Sequence, residues 1–288
     1  MKPPEILAHE HCVCGENPLW DDRRGVVFWT DIPAGRIFRW ERATGRHEMI
    51  YSGETVGGFT LEDDGRLLLF RVNDIALLNP DGRPEILARV ETPDKKRFND
   101  VIADPAGCIF AGTIGTGDGL GGLYRVGAGG VATRLFLGSR TANGMAFSPD
   151  RKLFYWTCST TRRIFRFDYD AATGEIARRA VVVELPAGGD VPDGLTVDAE
   201  GCLWSARWNG YAVYRYSPEG KILGEIEFPV AKVSSVIFGG PDLDELYVTT
   251  AGGSPDKDTS EGALFRVRPG VRGMPEFRSK IQNPKSKI

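Results

Sequence analysis

Short apolar runs alternate with polar turn residues along most of the chain. In one copy, residues 195–197 are followed by Asp198-Ala199-Glu200-Gly201 and then by residues 202–204. Asp and Gly favour a turn here, because Asp hydrogen-bonds its own backbone and Gly accepts a positive φ. The flanking runs are short, apolar and rich in β-forming residues, which is typical of buried strands. With Pro192-Asp193-Gly194 read as a preceding turn, the pattern predicts a turn followed by two antiparallel strands.

This unit occurs four times in the same register. In each copy a polar residue stands five positions before a turn aspartate, or seven in one case, and an apolar strand follows. The pairs are Glu16 and Asp21, Asn99 and Asp104, Asn143 and Asp150, and Asp193 and Asp198. The first members of these pairs are therefore predicted to occupy equivalent positions of a repeating structure.

A second marker strand occurs five times, and a weaker copy at residues 74–79 fills the one gap, which makes six repeats. Its copies lie at residues 36–40, 74–79, 122–126, 163–167, 212–216 and 262–267. A spacing of about 40–50 residues is that of a propeller blade with four strands. No segment between the copies has the apolar period of a helix. The chain is therefore predicted to be all-β, a single six-bladed β-propeller domain over residues 1–288 with a central channel.

The two ends of the sequence are expected to behave differently. Residues 5–10 are predicted to form an outer strand that joins the last blade and closes the ring, which removes exposed sheet edges. Residues 274–288 are polar and are expected to fray. In the third blade, Gly117, Gly119 and Gly122 match the pattern G-x-G-x-x-G. A strand rather than a helix follows them, so we expect no dinucleotide site there.

Composition limits the classes of partner. The chain has 41% hydrophobic and 26% charged residues, as expected for a soluble domain with a large core. Its net charge of −3 gives no electrostatic basis for binding nucleic acid or an anionic membrane. No apolar run approaches the roughly 20 residues of a membrane span, and no signal peptide is evident. We therefore expect a small-molecule partner, no obligatory protein partner and a cytoplasmic location.

The odd number of cysteines indicates free thiols in a reducing compartment. The five are Cys12, Cys14, Cys108, Cys158 and Cys202. Three of them lie in predicted strands, where a free Cys behaves as a small buried hydrophobe. Cys12-Val13-Cys14 lacks the two-residue spacer of the usual zinc or redox pairs, so a metal role is not expected there.

The repeat register predicts a cluster of oxygen ligands in the channel. The first strand of each blade lines the channel of a propeller, and four of the six opening positions are polar. They carry Glu16, Asn99, Asn143 and Asp193, whereas the other two blades offer Gly57-Gly58 and Ser234-Ser235. Two carboxylates and two amides at one point repel one another unless a divalent cation lies between them. Oxygen ligands without His or Cys favour Ca²⁺, Mg²⁺ or Mn²⁺.

A simpler interpretation competes with this one. Asn143-Gly144 and Asp193-Gly194 are ordinary turn dipeptides, and each taken alone indicates a turn more readily than a ligand. Glu16 and Asn99 have no such explanation. Four polar residues in one register therefore favour a metal site over four unrelated turns.

The segments around these residues resemble the regucalcin/gluconolactonase family over nearly the whole chain. They are residues 15–20, Arg97-Phe98-Asn99-Asp100, Asn143-Gly144-Met145, Pro192-Asp193-Gly194, and residues 238–242 with 246–251. The resemblance implies a six-bladed propeller that hydrolyses sugar lactones or related esters with one divalent metal ion. Ca²⁺ is expected first, with Zn²⁺, Mn²⁺, Mg²⁺ and Fe²⁺ as alternatives.

The resemblance also assigns roles to residues. It implies that Glu16, Asn143 and Asp193 are metal ligands and that Asn99 either ligates or contacts substrate. Arg97 is expected to contact substrate; the alternative is a strand-end charge or a partner of Asp100. Asp193 is expected to act as the catalytic base, or to serve only as a ligand.

Two departures from the family pattern are present, the first bearing on sugar recognition and the second on the residues that support the ligands. Asp118 is the one acidic residue that the Gly-rich loop of the third blade offers to sugar hydroxyls, and Cys158 stands where relatives often have Asp. Two other functions therefore remain open. One is hydrolysis of another ester or a phosphotriester, and the other is a non-catalytic calcium-binding or scaffold propeller, for which a polar cluster in the channel is not needed.

Overall fold

The computed structural model of the chain describes residues 3–90, 95–116, 120–256 and 259–281. These residues form 24 strands and one short 3₁₀ turn at Ala128–Gly130, and they include no α-helix. The strands make six four-stranded antiparallel sheets, so the predicted six-bladed propeller is confirmed. No helix in this part of the chain is long and apolar enough to cross a bilayer.

Each of the first five blades is built from consecutive strands, numbered outward from the channel. Blade 1 contains β2 (Gly15–Asp21), β3 (Val26–Asp31), β4 (Arg36–Glu41) and β5 (His47–Ser52); blade 2 contains β6 (Val56–Leu61), β7 (Leu67–Arg71), β8 (Asp74–Leu78) and β9 (Pro84–Arg89). Blade 3 contains β10 (Lys95–Ala103), β11 (Ile109–Gly115), β12 (Gly121–Val126) and β13 (Ala132–Ser139); blade 4 contains β14 (Ala142–Phe147), β15 (Leu153–Cys158), β16 (Arg163–Tyr169) and β17 (Ile176–Glu184). Blade 5 contains β18 (Val191–Val197), β19 (Leu203–Trp208), β20 (Ala212–Tyr216) and β21 (Ile222–Glu227).

The sixth blade takes strands from both ends of the sequence. It consists of β22 (Val233–Gly239), β23 (Glu245–Thr250), β24 (Ala263–Val267) and, outermost, β1 (Glu5–His9). Strand β1 pairs antiparallel with β24, and the carboxylate of Glu5 lies 2.8 Å from a guanidinium nitrogen of Arg266. The ring is closed by this pairing.

An apolar layer lies between each pair of neighbouring blades. Six clusters of buried side chains fill the six interfaces, including the one between blades 6 and 1, where Trp20, Trp29 and Tyr247 meet. Inner strands such as β2 are buried on both faces, whereas outer strands such as β21 are mostly exposed. The second strands β3 and β7 are also buried along their whole length, which explains the continuous apolar runs Val26–Trp29 and Leu67–Phe70.

The turn aspartates of the sequence pattern are structural. Asp21, Asp104 and Asp198 are fully buried, and each accepts at least one hydrogen bond from a backbone amide of its own turn and lies within 4 Å of an arginine guanidinium. The fourth predicted copy differs, because two extra residues place Asp150 at the surface. There Ser148 caps the turn, accepting a hydrogen bond from the amide of Leu153 at 2.9 Å.

Residues 274–281 pack against the propeller, so the expectation that they fray is wrong. We call residues 272–281 the strap, because this segment crosses the ring at the turns that follow the innermost strands. Its backbone hydrogen-bonds to Ala199, Leu243, Leu61 and Gly107, which belong to blades 5, 6, 2 and 3. Arg278 pairs with Asp21 of blade 1, and Phe277 packs on Phe147 of blade 4. The strap therefore contacts all six blades. Residues 282–288 lie outside the described residues.

Candidate metal and substrate site

A bulge in the first strand of every blade sets the geometry of the channel. The register of β2, β6, β10, β14, β18 and β22 against the second strand shifts at the same level in all six blades. A bulge adds one residue to one strand and redirects the side chains beside it, which is why bulges are common next to active sites. The shifts fall at or beside Glu16, Gly57, Asn99, Asn143, Asp193 and Ser234.

At two of these positions, Asn143 and Asp193, the interpretation of the sequence as a turn is wrong. Asn143-Gly144 and Asp193-Gly194 lie inside strands β14 and β18, and neither glycine has a positive φ. A Cβ on Gly144 would lie 2.2 Å from the backbone nitrogen of Leu195 in the next blade. These glycines are therefore required by the close approach of neighbouring first strands and not by a turn.

The polar residues of the register line one cavity of about 250 Å³. Glu16, Asn99, Asn143 and Asp193 all border it, and each is only 4–8% exposed. Arg97 borders the same cavity. Asp118, the remaining predicted substrate contact, lies outside the described residues.

A chain of hydrogen bonds orients the two amides. Nη1 of Arg97 donates to Oδ1 of Asn99 at 2.6 Å, and the amide nitrogen of Asn99 donates to Oδ1 of Asn143. The amide nitrogen of Asn143 donates to Oγ of Ser159 at 2.7 Å, and that hydroxyl donates to the carbonyl of Pro192 at 2.6 Å. A carbonyl oxygen has two lone pairs, so Asn143 keeps one for a cation. The oxygen of Asn99 is instead turned to Arg97.

The two carboxylates of the cavity have raised pKa values. Burial is the main cause, and with the nearby charge of Asp100 it raises the pKa of Glu16 to about 8. Burial, followed by the charges of Glu16 and Asp100, raises the pKa of Asp193 well above its usual range. Buried acids of like charge are stabilised by a proton or by a cation between them.

The donor set fits a hard divalent cation. Two carboxylates and one amide oxygen are available, and no histidine borders the cavity among the described residues. Burial raises the pKa of the Cys14 thiol, which also borders the cavity, well above its usual range. A protonated thiol is a weak ligand, so oxygen coordination of Ca²⁺, Mg²⁺ or Mn²⁺ is favoured.

Arg97 is a cation held beside these acids without a direct ion pair. It is half-buried, and burial lowers the pKa of its guanidinium, although the charges of Cys14, Glu16 and Asp193 oppose this. Arg97 takes part in no ion pair among the described residues, and Asp100 is not among the charges that act on it. Its only hydrogen bonds in this part of the chain are to Phe98 and Asn99. The remaining donors are available to a ligand.

The sequence interpretation missed two contributors to the site. Asp100 adds negative charge near both carboxylates, and burial raises its own pKa to about 7. Its position directly after Asn99 was the available signal. Ser159 fixes the amide of Asn143, but it follows strand β15 and has no sequence feature that marks it. Cys158, next to it, donates to Oγ of Ser139 at 3.2 Å in the core.

A second group of residues could in principle bind a metal ion, but its main member has a structural role in a turn. Asp198, Glu200 and Cys202 lie close together at the turn between β18 and β19. Asp198 already accepts hydrogen bonds from Trp204 and Arg215 and from the amides of Glu200 and Cys202. It stabilises the turn and leaves little capacity for a metal ion.

Comparison with known proteins places the chain among related propellers. The model of a family described as SMP-30/Gluconolactonase/LRE-like region matches residues 14–252. The chain is 42% identical to the pentonolactonase XacC of Haloferax volcanii, over 94% of this chain and 96% of that protein. It is 34% identical to regucalcin of Bos taurus, over 95% of this chain and 97% of the relative.

A solved structure has the same architecture. The crystal structure of a calcium-binding protein, regucalcin, from Agrobacterium tumefaciens superposes with a TM-score of 0.88. The two sequences are 28% identical, and the match covers 96% of each chain. The similarity therefore extends over the whole propeller, including the strands that carry the cavity.

Proposed function

Because the chain belongs to the SMP-30/gluconolactonase/LRE-like family, we propose that it is a divalent-metal-dependent lactonase that opens a sugar lactone to the aldonic acid. Similarity to a pentonolactonase over almost the full length supports a hydrolase. Ca²⁺ is the proposed ion, because the available donors are oxygens and the similar regucalcin structure is that of a calcium-binding protein.

The proposal assigns a role to each polar residue of the cavity. Glu16, Asn143 and Asp193 would hold the cation, which when bound supplies Lewis acidity toward the lactone carbonyl. Asp193 would also take a proton from the attacking water. Arg97 donates hydrogen bonds to an oxygen of the substrate. Asn99 holds the amide of Asn143 in place.

The reaction balances with water as the only co-substrate. The water oxygen bonds to the carbonyl carbon, the bond from that carbon to the ring oxygen breaks, and the ring oxygen receives a proton. Asp193 is suited to pass on the proton it has taken, because burial already raises its pKa. The new carboxylic acid loses its proton to solvent, and a cationic Arg97 beside the cavity is complementary to the carboxylate that remains.

One observation carries the proposal. Four polar side chains from blades 1, 3, 4 and 5 border a single cavity, together with a guanidinium that has no ion-pair partner among the described residues. A propeller that served only as a scaffold would have no need of two buried carboxylates there, because they oppose folding unless they are neutralised.

The test is hydrolysis of a panel of aldonolactones after chelation and after addition of Ca²⁺, Zn²⁺, Mn²⁺, Mg²⁺ or Fe²⁺. We expect turnover that is lost on chelation and restored by at least one ion. Glu16→Gln should abolish the restoration, whereas Asp242→Asn, at an exposed acid on the strap side, should behave as wild type. An organophosphate triester assayed in parallel tests the alternative that the protein hydrolyses phosphotriesters. Tight metal binding without turnover of any substrate would instead indicate a calcium-binding propeller.

A further inference from the structure

Beyond the oxygen cluster, the cavity has an apolar wall. Ile32, Ile114, Val191 and Trp208 border it, contributed by blades 1, 3 and 5. The polar side chains of the same cavity are largely engaged with one another, as the hydrogen bonds among Asn99, Asn143 and Ser159 show. The part of a ligand that extends from the oxygen cluster toward this wall would therefore contact aliphatic side chains and a tryptophan.

Trp208 is the largest member of that wall, and neighbouring strands contact it. It is the last residue of β19 and pairs with Val191, two residues before Asp193 on the adjacent strand. Nζ of Lys232 lies 5.3 Å from the centre of the indole ring, and the two backbones form an isolated bridge. Lys232, directly before β22, thus lies beside the indole of a residue that borders the cavity.

The indole is also free to interact with a ligand. Trp208 is half-buried, and its N–H has no hydrogen-bond partner among the described residues. It differs from Trp20, Trp29 and Trp156, whose N–H groups are sealed in the core. An indole that combines an apolar face with an available donor suits a ring that has a C–H face and polar edges.

We propose that Trp208 is a specificity-determining residue that packs its ring against the C–H face of a small lactone. The inference rests on the proposed lactonase function and extends it to the substrate class. The preferred substrates are compact lactones with at least one ring face free of hydroxyl groups, since a hydroxyl pressed against this wall would lose its hydrogen bonds to water.

The first experiment separates binding from turnover. Steady-state kinetics of γ-butyrolactone and of a pentono-1,4-lactone are measured for the wild type and for Trp208→Ala, with Ca²⁺ at saturation. We expect KM to rise roughly ten- to hundredfold, while kcat changes by less than about threefold, because lost apolar contact weakens ground state and transition state alike. Trp208→Phe keeps an aromatic face and should stay within about threefold of the wild-type KM.

Two controls separate this role from a structural one. Tyr211→Ala removes a 55% exposed aromatic ring from the same β19–β20 hairpin and should leave KM unchanged. The rise in melting temperature on adding Ca²⁺ should be the same in Trp208→Ala and the wild type. An unchanged KM in Trp208→Ala, or a loss confined to kcat, would overturn the proposal.

A second measurement distinguishes this proposal from failure of the lactonase function. 2-Pyrrolidinone, the lactam of the same ring size, resists hydrolysis and is titrated calorimetrically and by tryptophan fluorescence. We expect at least tenfold weaker binding to Trp208→Ala and loss of the fluorescence response in Trp208→Phe. If the wild type turns over no lactone but the lactam result holds, the lactonase proposal fails and the Trp208 contact stands. Equal lactam binding in all variants would refute the Trp208 contact even if lactones are hydrolysed.

Discussion

At the scale of single residues, Asp193 is assigned two roles that conflict. A carboxylate bound to a divalent cation is a poor base, because the neighbouring positive charge lowers its pKa. Burial acts in the opposite direction and raises the pKa of Asp193. One carboxylate oxygen can face the cation while the other accepts the proton, so a buried aspartate can serve both purposes.

Asp193→Asn tests whether both roles are real. The amide keeps the shape and one oxygen ligand but removes the charge and the basicity. We expect weaker metal binding and a kcat lower by about 10²–10⁴ that saturating metal does not restore. Metal content and turnover are measured on the same samples. Full recovery of turnover once the site is filled would leave Asp193 as a ligand only.

Arg97→Ala tests the proposed substrate contact. The guanidinium has donors to spare beyond its bonds to Phe98 and Asn99. Loss of a charged hydrogen bond to substrate costs about 1.5–3 kcal/mol, so kcat/KM should fall roughly ten- to hundredfold while metal content holds. Unchanged kinetics on the best lactone would assign Arg97 to orienting Asn99 alone.

At the scale of single elements, the first strands act as a unit because they touch across blades. A Cβ on Gly57 of β6 would lie 2.0 Å from the carbonyl oxygen of Phe98 in β10. The two glycines of blade 2 therefore do more than leave the channel open. They allow the backbone of β6 to pack closely against β10, the strand that carries Arg97 and Asn99.

Gly57→Ala should impair the site although it replaces none of the residues that border the cavity. The added methyl has to displace β10, which moves Arg97 and Asn99 relative to Asn143. We expect a loss of kcat/KM of at least tenfold and a lower melting temperature, with far-ultraviolet circular dichroism unchanged. Gly224→Ala, where nothing lies within 4 Å of the new Cβ, is the matched control. Equal activity in the two variants would contradict the predicted coupling.

The strand bulges also show what could be predicted from the sequence. The repeat register brought Glu16, Asn99, Asn143 and Asp193 together, because equivalent positions of a repeat meet at the channel. The turn interpretation of Asn143-Gly144 and Asp193-Gly194, which such dipeptides usually justify, is wrong because both lie inside strands. The glycines are required by the next blade, which a local pattern does not contain. Occupancy by a cation stays a prediction.

At the scale of the whole molecule, the joint between blades 6 and 1 depends on one buried acid. Glu245 of β23 accepts hydrogen bonds from Arg42 of blade 1, Arg268 and the hydroxyl of Tyr247. Burial alone would raise its pKa, but these bonds outweigh it and lower the pKa from 4.5 to about 2. The carboxylate is therefore held ionised at the interface between blades 6 and 1.

Glu245 gives the closed ring a predictable pH dependence. Since its pKa is lower in the folded state, its contribution is complete above about pH 4.5 and is lost as the pH falls toward 2. The shift corresponds to roughly 2–4 kcal/mol at pH 7. Glu245→Gln should lose that much in urea unfolding at pH 7, and the difference from wild type should shrink toward pH 3. Glu48→Gln, at an exposed ion pair, should change stability by less than about 1 kcal/mol at any pH. A Glu245→Gln deficit independent of pH would refute the assignment.

The position of the strap is the part of the whole fold that the sequence does not predict. Its polar composition indicates a loose tail, and its apolar anchors, Phe277 and Ile281, are too few to signal an element. It is held mainly by backbone hydrogen bonds to turns of different blades. These turns come together only when the blades assemble into the ring. The sequence of residues 272–281 therefore does not indicate where the segment binds.

The pairing of β1 with β24 has a consequence for synthesis on the ribosome. Glu5 and Arg266 are 261 residues apart, and translation at about 5–20 residues per second takes roughly 13–50 s to cover that distance. During this time each of the first five blades can complete its own sheet as it emerges, while β1 waits as an unpaired segment. Its brevity and its exposed Glu5 make it a poor template for pairing with another nascent chain. The strand that closes the ring is thus suited to remaining unpaired until its partner has been made.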